Sequence, residues 1–438
     1  MTPMNKKITV SALMVVLLAG LGGALLLNGD TSAVNVADDR VAAADATPVD
    51  PAAAARGAYV AVQADCAACH TAPGGKAYAG GYGLETPFGV IYSTNITPER
   101  SSGIGSWTER DFFRAVRHGR HRNGQLLYPA MPYNAYVNIN DADMHDLWAY
   151  MRTLQPVEQA APSNTLGFPY NIRLSLLGWN LLHFDNKPFV PRAEQSAQWN
   201  RGRYLVDGAG HCGACHTPKN LLGGDTGLYL QGAELLGSYA PEITNDAYRG
   251  LGNWSSEQIQ TYLKTGANHQ AIASGPMGEA VEFSTQHLTD ADLAAIAGYL
   301  KSLRGSGAKP PKPLAGTEPI MQRGAQVYEY NCMACHNVHG EGIKGMVTAF
   351  ADNPGVRTPS GSNLIATVLK GGKAVVTERN LTGAGMPSFD WKLSDADIAA
   401  VLSYVRNSWG NAAPAVQADQ VARARDSLGA AVQLHAEY

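Results

Sequence analysis

All six cysteines of this 438-residue chain fall into one pattern. Cys66-Ala-Ala-Cys69-His70, Cys212-Gly-Ala-Cys215-His216 and Cys332-Met-Ala-Cys335-His336 each read C-x-x-C-H. Two thiols at that spacing can each form a thioether with one vinyl group of a porphyrin. The adjacent histidine then lies against the iron as its proximal ligand. No cysteine is left over for a disulfide, a zinc site or an iron–sulfur cluster. One such box could arise by chance, or serve as a redox dithiol beside an idle histidine. Three boxes that use every cysteine point to three covalently bound haem c groups.

Iron held by histidine alone is five-coordinate and binds small ligands. A methionine sulfur closes the site and raises the reduction potential. Met277, in Ser-Gly-Pro-Met-Gly, is the only methionine between Met151 and Met321 and lies 61 residues after His216. Met131, in Tyr-Pro-Ala-Met-Pro, lies 61 residues after His70. Met386, in Gly-Ala-Gly-Met-Pro, lies 50 residues after His336. The expected iron ligands are therefore His70 with Met131, His216 with Met277, and His336 with Met386. All three methionines are expected in Gly/Pro loops before a closing helix. Met144 and Met151 are seven apart and read as core, and Met346 follows His336 too soon. Histidine is the rival ligand, but none of His118, His121, His269, His287 and His339 recurs at one slot in all three blocks. Pro73 and Pro218 follow the first two boxes. Their carbonyls are candidates to accept the proximal ring N–H; the plainer alternative is that they turn the chain. The third box is followed by Asn337-Val-His339, so its haem is expected to be the redox outlier.

These residues must be held by repeated elements. Arg56-Gly-Ala-Tyr59, Arg201-Gly-Arg-Tyr204 and Arg323-Gly-Ala-Gln-Val-Tyr328 each open a helical pattern running into a box. Asn95-Ile-Thr97 with Trp107 in the first block matches Glu242-Ile-Thr244 with Trp254 in the second. Each block closes with Asp-Ala-Asp, ending at Asp143, Asp292 and Asp397, which suits a helix N-cap or first turn. Tyr150, Tyr299 and Tyr404 follow two helical turns later and are expected to pack on the opening helix. The fold class is all-α: three tandem cytochrome c-type domains after an N-terminal membrane helix. The expected boundaries are 1–53 for anchor or signal plus tether, 54–154, 197–304 and 320–409 for the three domains, and 410–438 for a tail. An apolar linker (155–196) and a Pro/Gly linker (305–319) separate the domains.

Bulk properties agree. A net charge of −3 and 16% charged residues, with no long basic tract, exclude a nucleic-acid partner. Lys6 and Lys7 precede an uncharged run from Ile8 to Leu27. Its twenty residues match a bilayer span better than a secretory h-region of about 7–15. An uncleaved anchor is expected, with the rest of the chain in the periplasm; a long cleaved signal peptide implies the same compartment.

Residues 66–76, 92–98, 103–107 and 128–133 carry a family resemblance. They read Cys-Ala-Ala-Cys-His-Thr-Ala-Pro-Gly-Gly-Lys, Tyr-Ser-Thr-Asn-Ile-Thr-Pro, Gly-Ile-Gly-Ser-Trp and Tyr-Pro-Ala-Met-Pro-Tyr. The chain resembles the triheme cytochrome c subunit of bacterial membrane-bound alcohol, aldehyde, gluconate and sorbitol dehydrogenases. The resemblance spans roughly residues 54–409, the three blocks that length alone allows as domains. It implies a large dehydrogenase subunit as partner (quinoprotein, flavoprotein or molybdenum enzyme), and a small subunit beside it. It also implies electron delivery to ubiquinone or a terminal oxidase in the bacterial cytoplasmic membrane. The N-terminal anchor departs from members with cleaved signals and tilts the choice of partner toward an aldehyde-oxidising one.

Three further stretches stand out. Leu166 to Phe184 is unusually apolar for a linker. It is expected to pack as a helix across two domains over most of its length, with a bilayer or quinone surface as the alternative. Arg110, Arg114, Arg117, Arg120 and Arg122 form a basic stretch: a solvated face, or a site for haem propionates or an acidic partner. The tail after Gly410 is Ala-rich and reads as helical. No Walker loop, dinucleotide fingerprint or nucleophile constellation is present. The leading reading is an electron-transfer subunit whose substrate is oxidised on another chain. The alternatives are a self-sufficient, peroxidase-like haem enzyme and a freestanding membrane-tethered cytochrome.

Overall fold

The computed structural model describes residues 48–436, apart from 236 and 382. The expected span at 8–27 and most of the tether lie outside the described residues. Among the described residues, no helix is long and apolar enough to cross a membrane. The architecture is the expected all-α one with three small additions. Antiparallel hairpins join β1 (Gly83–Thr86) to β2 (Gly89–Tyr92), β3 (Ala233–Leu235) to β4 (Ser238–Ala240), and β5 (Gly372–Lys373) to β6 (Gly385–Met386).

Three hydrophobic clusters organise the chain, each between an opening and a closing helix. In the first unit α1 (Pro51–Gln63) runs into the box helix α2 (Cys66–His70). There follow α3 (Glu109–His118), α4 (Tyr133–Tyr136) and the closing α5 (Asp141–Met151). The linker holds α6 (Leu176–His183). The second unit runs from α7 (Ala197–Tyr204) through α8 (Gly213–His216), α9 (Ser256–Thr265) and α10 (Pro276–Phe283) to the closing α11 (Asp290–Ser302). The third has α12 (Pro319–Asn331), α13 (Met333–His336), α14 (Ser362–Lys370) and the closing α15 (Asp395–Arg406).

Local chemistry starts these helices where the sequence indicates. Asp50 accepts from the N–H groups of Ala52 and Ala53, and Pro51 takes the first helical turn of α1. The closing helices are capped by Asn140, Thr289 and Ser394, whose side chains accept from the N–H of Asp143, Asp292 and Asp397. The Asp-Ala-Asp acids thus fill the first turn, where they favour the positive end of the helix dipole.

The helix pairs meet at a glycine. A Cβ on Gly57 would lie 1.8 Å from the Asp146 carbonyl oxygen. On Gly202 it would lie 2.0 Å from that of Ala295, and on Gly324 2.2 Å from that of Ala400. Beside each glycine an arginine crosses to the closing helix. Arg56 binds both carboxylate oxygens of Asp146 at 2.6 and 2.7 Å. Arg201 binds both of Asp292 at 2.8 Å, and Arg323 reaches Asp397 at 2.7 Å. Of the repeated tyrosines, Tyr299 is buried and packs edge-on against Trp199 of the opening helix, while Tyr404 packs against Tyr328.

The second unit touches both others. Tyr59 donates to Asp292 at 2.8 Å, and Tyr204 donates to Asp143 at 2.5 Å, a reciprocal exchange between units one and two. Asn363 of the third unit exchanges two hydrogen bonds with the backbone of Tyr239. The Pro/Gly linker is pinned as well: Gly307 and Ala308 donate to Asp246, and Leu314 to Asn407. The tail forms α16 (Ala418–Ala436), which folds back on the third unit through buried Val416 and Val421.

The apolar linker packs across the first and second units as expected, but only along part of its length. Leu176 is buried, and Trp179 packs edge-on against Tyr133. Yet Phe168 is 80% exposed, and Leu174, Leu181 and Leu182 are 62–68% exposed. Only one side of the stretch packs: α6 lies between the first unit, where Tyr133 donates to Asn180 at 2.7 Å, and the second, where Trp179 Nε1 donates to the Leu222 carbonyl, and its other face stays open.

Gly202→Ala should lower stability by about 1–3 kcal/mol, the usual cost of overpacking. For a unit of this size each kcal/mol lowers Tm by about 4–8 °C. Thermal unfolding of the Gly202→Ala protein checks this, with Gly298→Ala, a helix position with open space where alanine should raise stability by about 0.5–1 kcal/mol, as the comparison.

Candidate haem sites

Each box forms a short helix after the opening helix, at the edge of its cluster. Cys66, Cys212 and Cys332 pack against the first, second and third clusters, while Cys69, Cys215 and Cys335 are exposed. A reactive dithiol needs a depressed thiol pKa. Here burial, with nearby acids and thiols behind it, pushes Cys66 and Cys212 up to about 12 and Cys332 up to about 11. Thiols held this way are weak nucleophiles, which does not suit a redox dithiol.

The histidines are set for iron in two units by one device. His70 Nδ1 lies 2.7 Å from the Thr94 carbonyl oxygen, and His216 Nδ1 lies 2.6 Å from that of Pro241. A ring N–H donated there fixes the tautomer, orients the ring and leaves Nε2 for a metal. Burial draws both rings below the usual imidazole pKa, so they stay neutral ligands. The carbonyls expected for this role, those of Pro73 and Pro218, do not fill it. The Pro218 carbonyl accepts from Thr226 N instead. The ring nitrogen points across to a later loop, not back along its own strand.

That later loop is the N-I-T and E-I-T repeat. Asn95 is 3% exposed. Its Oδ1 accepts from the backbone and hydroxyl of Thr97, and its Nδ2 donates to the Val157 carbonyl. Glu242, equally buried, accepts from the Thr244 hydroxyl and from Ser306 N and Oγ. Each motif thus locks the peptide whose carbonyl holds the proximal ring. The shared spacing marked these residues as repeats, but nothing in the sequence linked the carbonyls just before them to a histidine 24 or 25 residues earlier.

The third unit has no such motif. His336 Nδ1 is buried without a hydrogen-bond partner, and the ring stacks on Phe350 at 4.5 Å. Phe350 in turn stacks on Trp409. This ring is held by aromatic packing instead of by a carbonyl.

The methionines divide two to one. Met131 packs on the cluster that also holds Cys66, and Met386 on the one that holds Cys332. Met277 is half-buried but is not among the side chains packed on the second cluster. The expected loop is also absent there, because Gly275 and Pro276 start helix α10 at that point. α10 lies against α2, the first unit's box helix, as well as against α9. Met386 lies in β6, and Met131 in a turn before α4. Met144 and Met151 are fully buried core, and Met346 is 55% exposed. His118 Nδ1 lies 2.8 Å from Asn186 Oδ1, and His287 Nε2 lies 3.1 Å from the Glu282 carbonyl oxygen.

A cytochrome c family model matches residues 54–155, 200–304 and 321–409. The chain belongs to the cytochrome c family. Covalently bound haem c follows from that membership, and the spaced thiols and oriented rings fit it. The chain is 41% identical over 394 residues to the gluconate 2-dehydrogenase cytochrome c subunit of Pantoea cypripedii, covering 84% of this chain and 89% of that one. It is 40% identical to the fructose dehydrogenase cytochrome subunit of Gluconobacter japonicus, over 84% of this chain and 82% of that one. It is 38% identical to the cytochrome c subunit of the quinone-type alcohol dehydrogenase of Gluconacetobacter polyoxogenes, over 88% and 87%.

A carbonyl on Nδ1–H makes an imidazole a more basic ligand and favours ferric iron. Asn95→Ala should therefore raise one midpoint potential in a redox titration and leave the other two in place. In the unchanged protein, the haem at His336 should titrate highest, set apart from the first two.

Proposed function

We propose that this cytochrome c is the electron-transfer subunit of a periplasm-facing, membrane-bound dehydrogenase complex. It relays single electrons through three c-type haems from an alcohol- or aldehyde-oxidising subunit to ubiquinone. The observation that carries the reading is the threefold recurrence of a C-x-x-C-H box at the edge of its own hydrophobic cluster. Relatives matched over most of their length, themselves cytochrome subunits of dehydrogenases, support it.

In this reading Cys66 and Cys69, Cys212 and Cys215, and Cys332 and Cys335 attach the haems. His70, His216 and His336 are the proximal ligands, with Met131, Met277 and Met386 opposite them. The domains run over 54–154, 197–304 and 320–409. Haem supplies reversible one-electron chemistry; the protein orients the imidazoles, excludes water with the three clusters and sets the order of contact. The second unit packs on both others, so it is the relay between the first and third. Substrate oxidation belongs to another chain.

The membrane arrangement rests on two features. One is the apolar run at 8–27. The other is the exposed face of Phe168, Leu174, Leu181 and Leu182. Leu221 and Leu222 extend it, since Trp179 Nε1 donates to the Leu222 carbonyl at 3.0 Å. Such a face, larger than scattered surface leucines, suits an interface with lipid or quinone.

Purification from the native membrane should yield three haem c per chain and a large dehydrogenase subunit in the same peak. Isolation of the chain alone would favour a freestanding cytochrome, and carbon monoxide binding to the reduced intact protein a haem enzyme. Replacing Phe168, Leu174, Leu181 and Leu182 by serine should lower ubiquinone reduction by the complex while sparing reduction of a soluble acceptor. Unchanged quinone activity would remove that face from the quinone or membrane role.

A further inference from the structure

The first two boxes are each preceded by a residue in the left-handed backbone region: Asp65 at φ 51° and His211 at φ 36°. Neither is glycine, so both conformations are strained and are held by their surroundings. The third unit does without this device, since α12 runs unbroken to Asn331, the residue before Cys332. The strain therefore marks something the first two units share with each other.

What they share is one carbonyl. Ala64, two residues before Cys66, accepts from the Tyr136 hydroxyl at 2.6 Å. The His211 ring packs edge-on against Tyr136 with centroids 5.6 Å apart. The Ala64 carbonyl also faces the His211 imidazole, which burial keeps neutral. His211 is bonded directly to Cys212. A continuous bridge thus runs from Cys66 through Asp65 and Ala64 to Tyr136 and His211, and on to Cys212. Ala209 of the second unit is buried in the first unit's cluster, and Tyr59 and Val62 of the first pack on the second's.

We propose that Tyr136 and His211 are positioning residues that couple the first and second haem sites for direct electron exchange across the Ala64 carbonyl. The proposal rests on the electron-transfer reading and names the pair within which the electron moves. One electron leaves ferrous iron at one box and reduces ferric iron at the other, with no proton and no third reactant. The reversed backbones at Asp65 and His211 set the two boxes on either side of this contact, and the Tyr136 hydroxyl with the His211 ring packed against it holds them there. Ala64 supplies only its backbone, so the side chains that tune the coupling are those of Tyr136 and His211.

The test uses the full, haem-loaded chain. Flash photoreduction of the oxidised protein, followed by its visible spectrum, reads redistribution of the injected electron among the haems. Tyr136→Phe and His211→Leu should slow the fastest redistribution phase several-fold, with haem content, the three midpoint potentials and Tm retained. His211→Gln keeps a polar N–H side chain beside Tyr136 and should restore most of the rate. A fastest phase unchanged in both Tyr136→Phe and His211→Leu would overturn the proposal. So would an equal loss in His211→Gln and His211→Leu, which is what a packing role alone produces. A chain carrying no haem c would instead sink the electron-transfer reading itself.

Discussion

The close approach of an opening and a closing helix is the constraint on which the rest depends. In each unit a carbonyl of the closing helix occupies the space a methyl group would need at Gly57, Gly202 or Gly324. Backbones in contact at that point leave little freedom in crossing angle or register. The neighbouring Arg–Asp pair then fixes rotation about the contact. Because the box helix follows the opening helix directly, locking that helix also locks the thiols and the histidine. These pairs are partly exposed, so their value lies more in geometry than in energy.

The proximal histidines show how one problem is solved in two ways. In the first two units a buried polar residue organises a loop, and the loop presents a carbonyl to the ring. Asn95 and Glu242 differ in charge but satisfy the same threonine two residues on. Each is buried and hydrogen-bonded, as a polar group away from water must be. In the third unit Phe350 and Trp409 stack beneath His336. Stacking holds a ring plane but does not accept its proton.

Packing between units follows the same economy of parts. Tyr59 and Tyr204 occupy matching slots, and each reaches the closing helix of the other's unit. The first two units therefore associate as near-symmetric copies. The third attaches through different contacts, with Asn363 on the Tyr239 backbone and Thr377 on the Thr265 carbonyl. Duplication of one helical unit thus yields a pair and an appended third, not three equivalent sites.

Much of this was legible in the linear chain. The boxes, the three-unit repeat, the helix starts at the Asp-Ala-Asp motifs and the core roles of Met144 and Met151 all follow from residue type and spacing, because these are local chemistry. Spacing misjudged the setting of Met277, since a Gly-Pro step reads equally as loop or helix start. It also missed the Thr94 and Pro241 carbonyls, because a backbone group has no identity in a sequence and becomes a partner only when the chain returns to it. The outward face of residues 168–182 was hidden for a related reason: apolar composition says that a segment avoids water, not which surface shields it. The sequence alone determined which atoms could bind haem, how many times and in what order. Only the tertiary structure decided which carbonyls orient the first two histidines, that stacking holds the third, and which two units meet at Ala64. Those are contacts between distant residues, set by how glycine-mediated helix pairs pack in three dimensions.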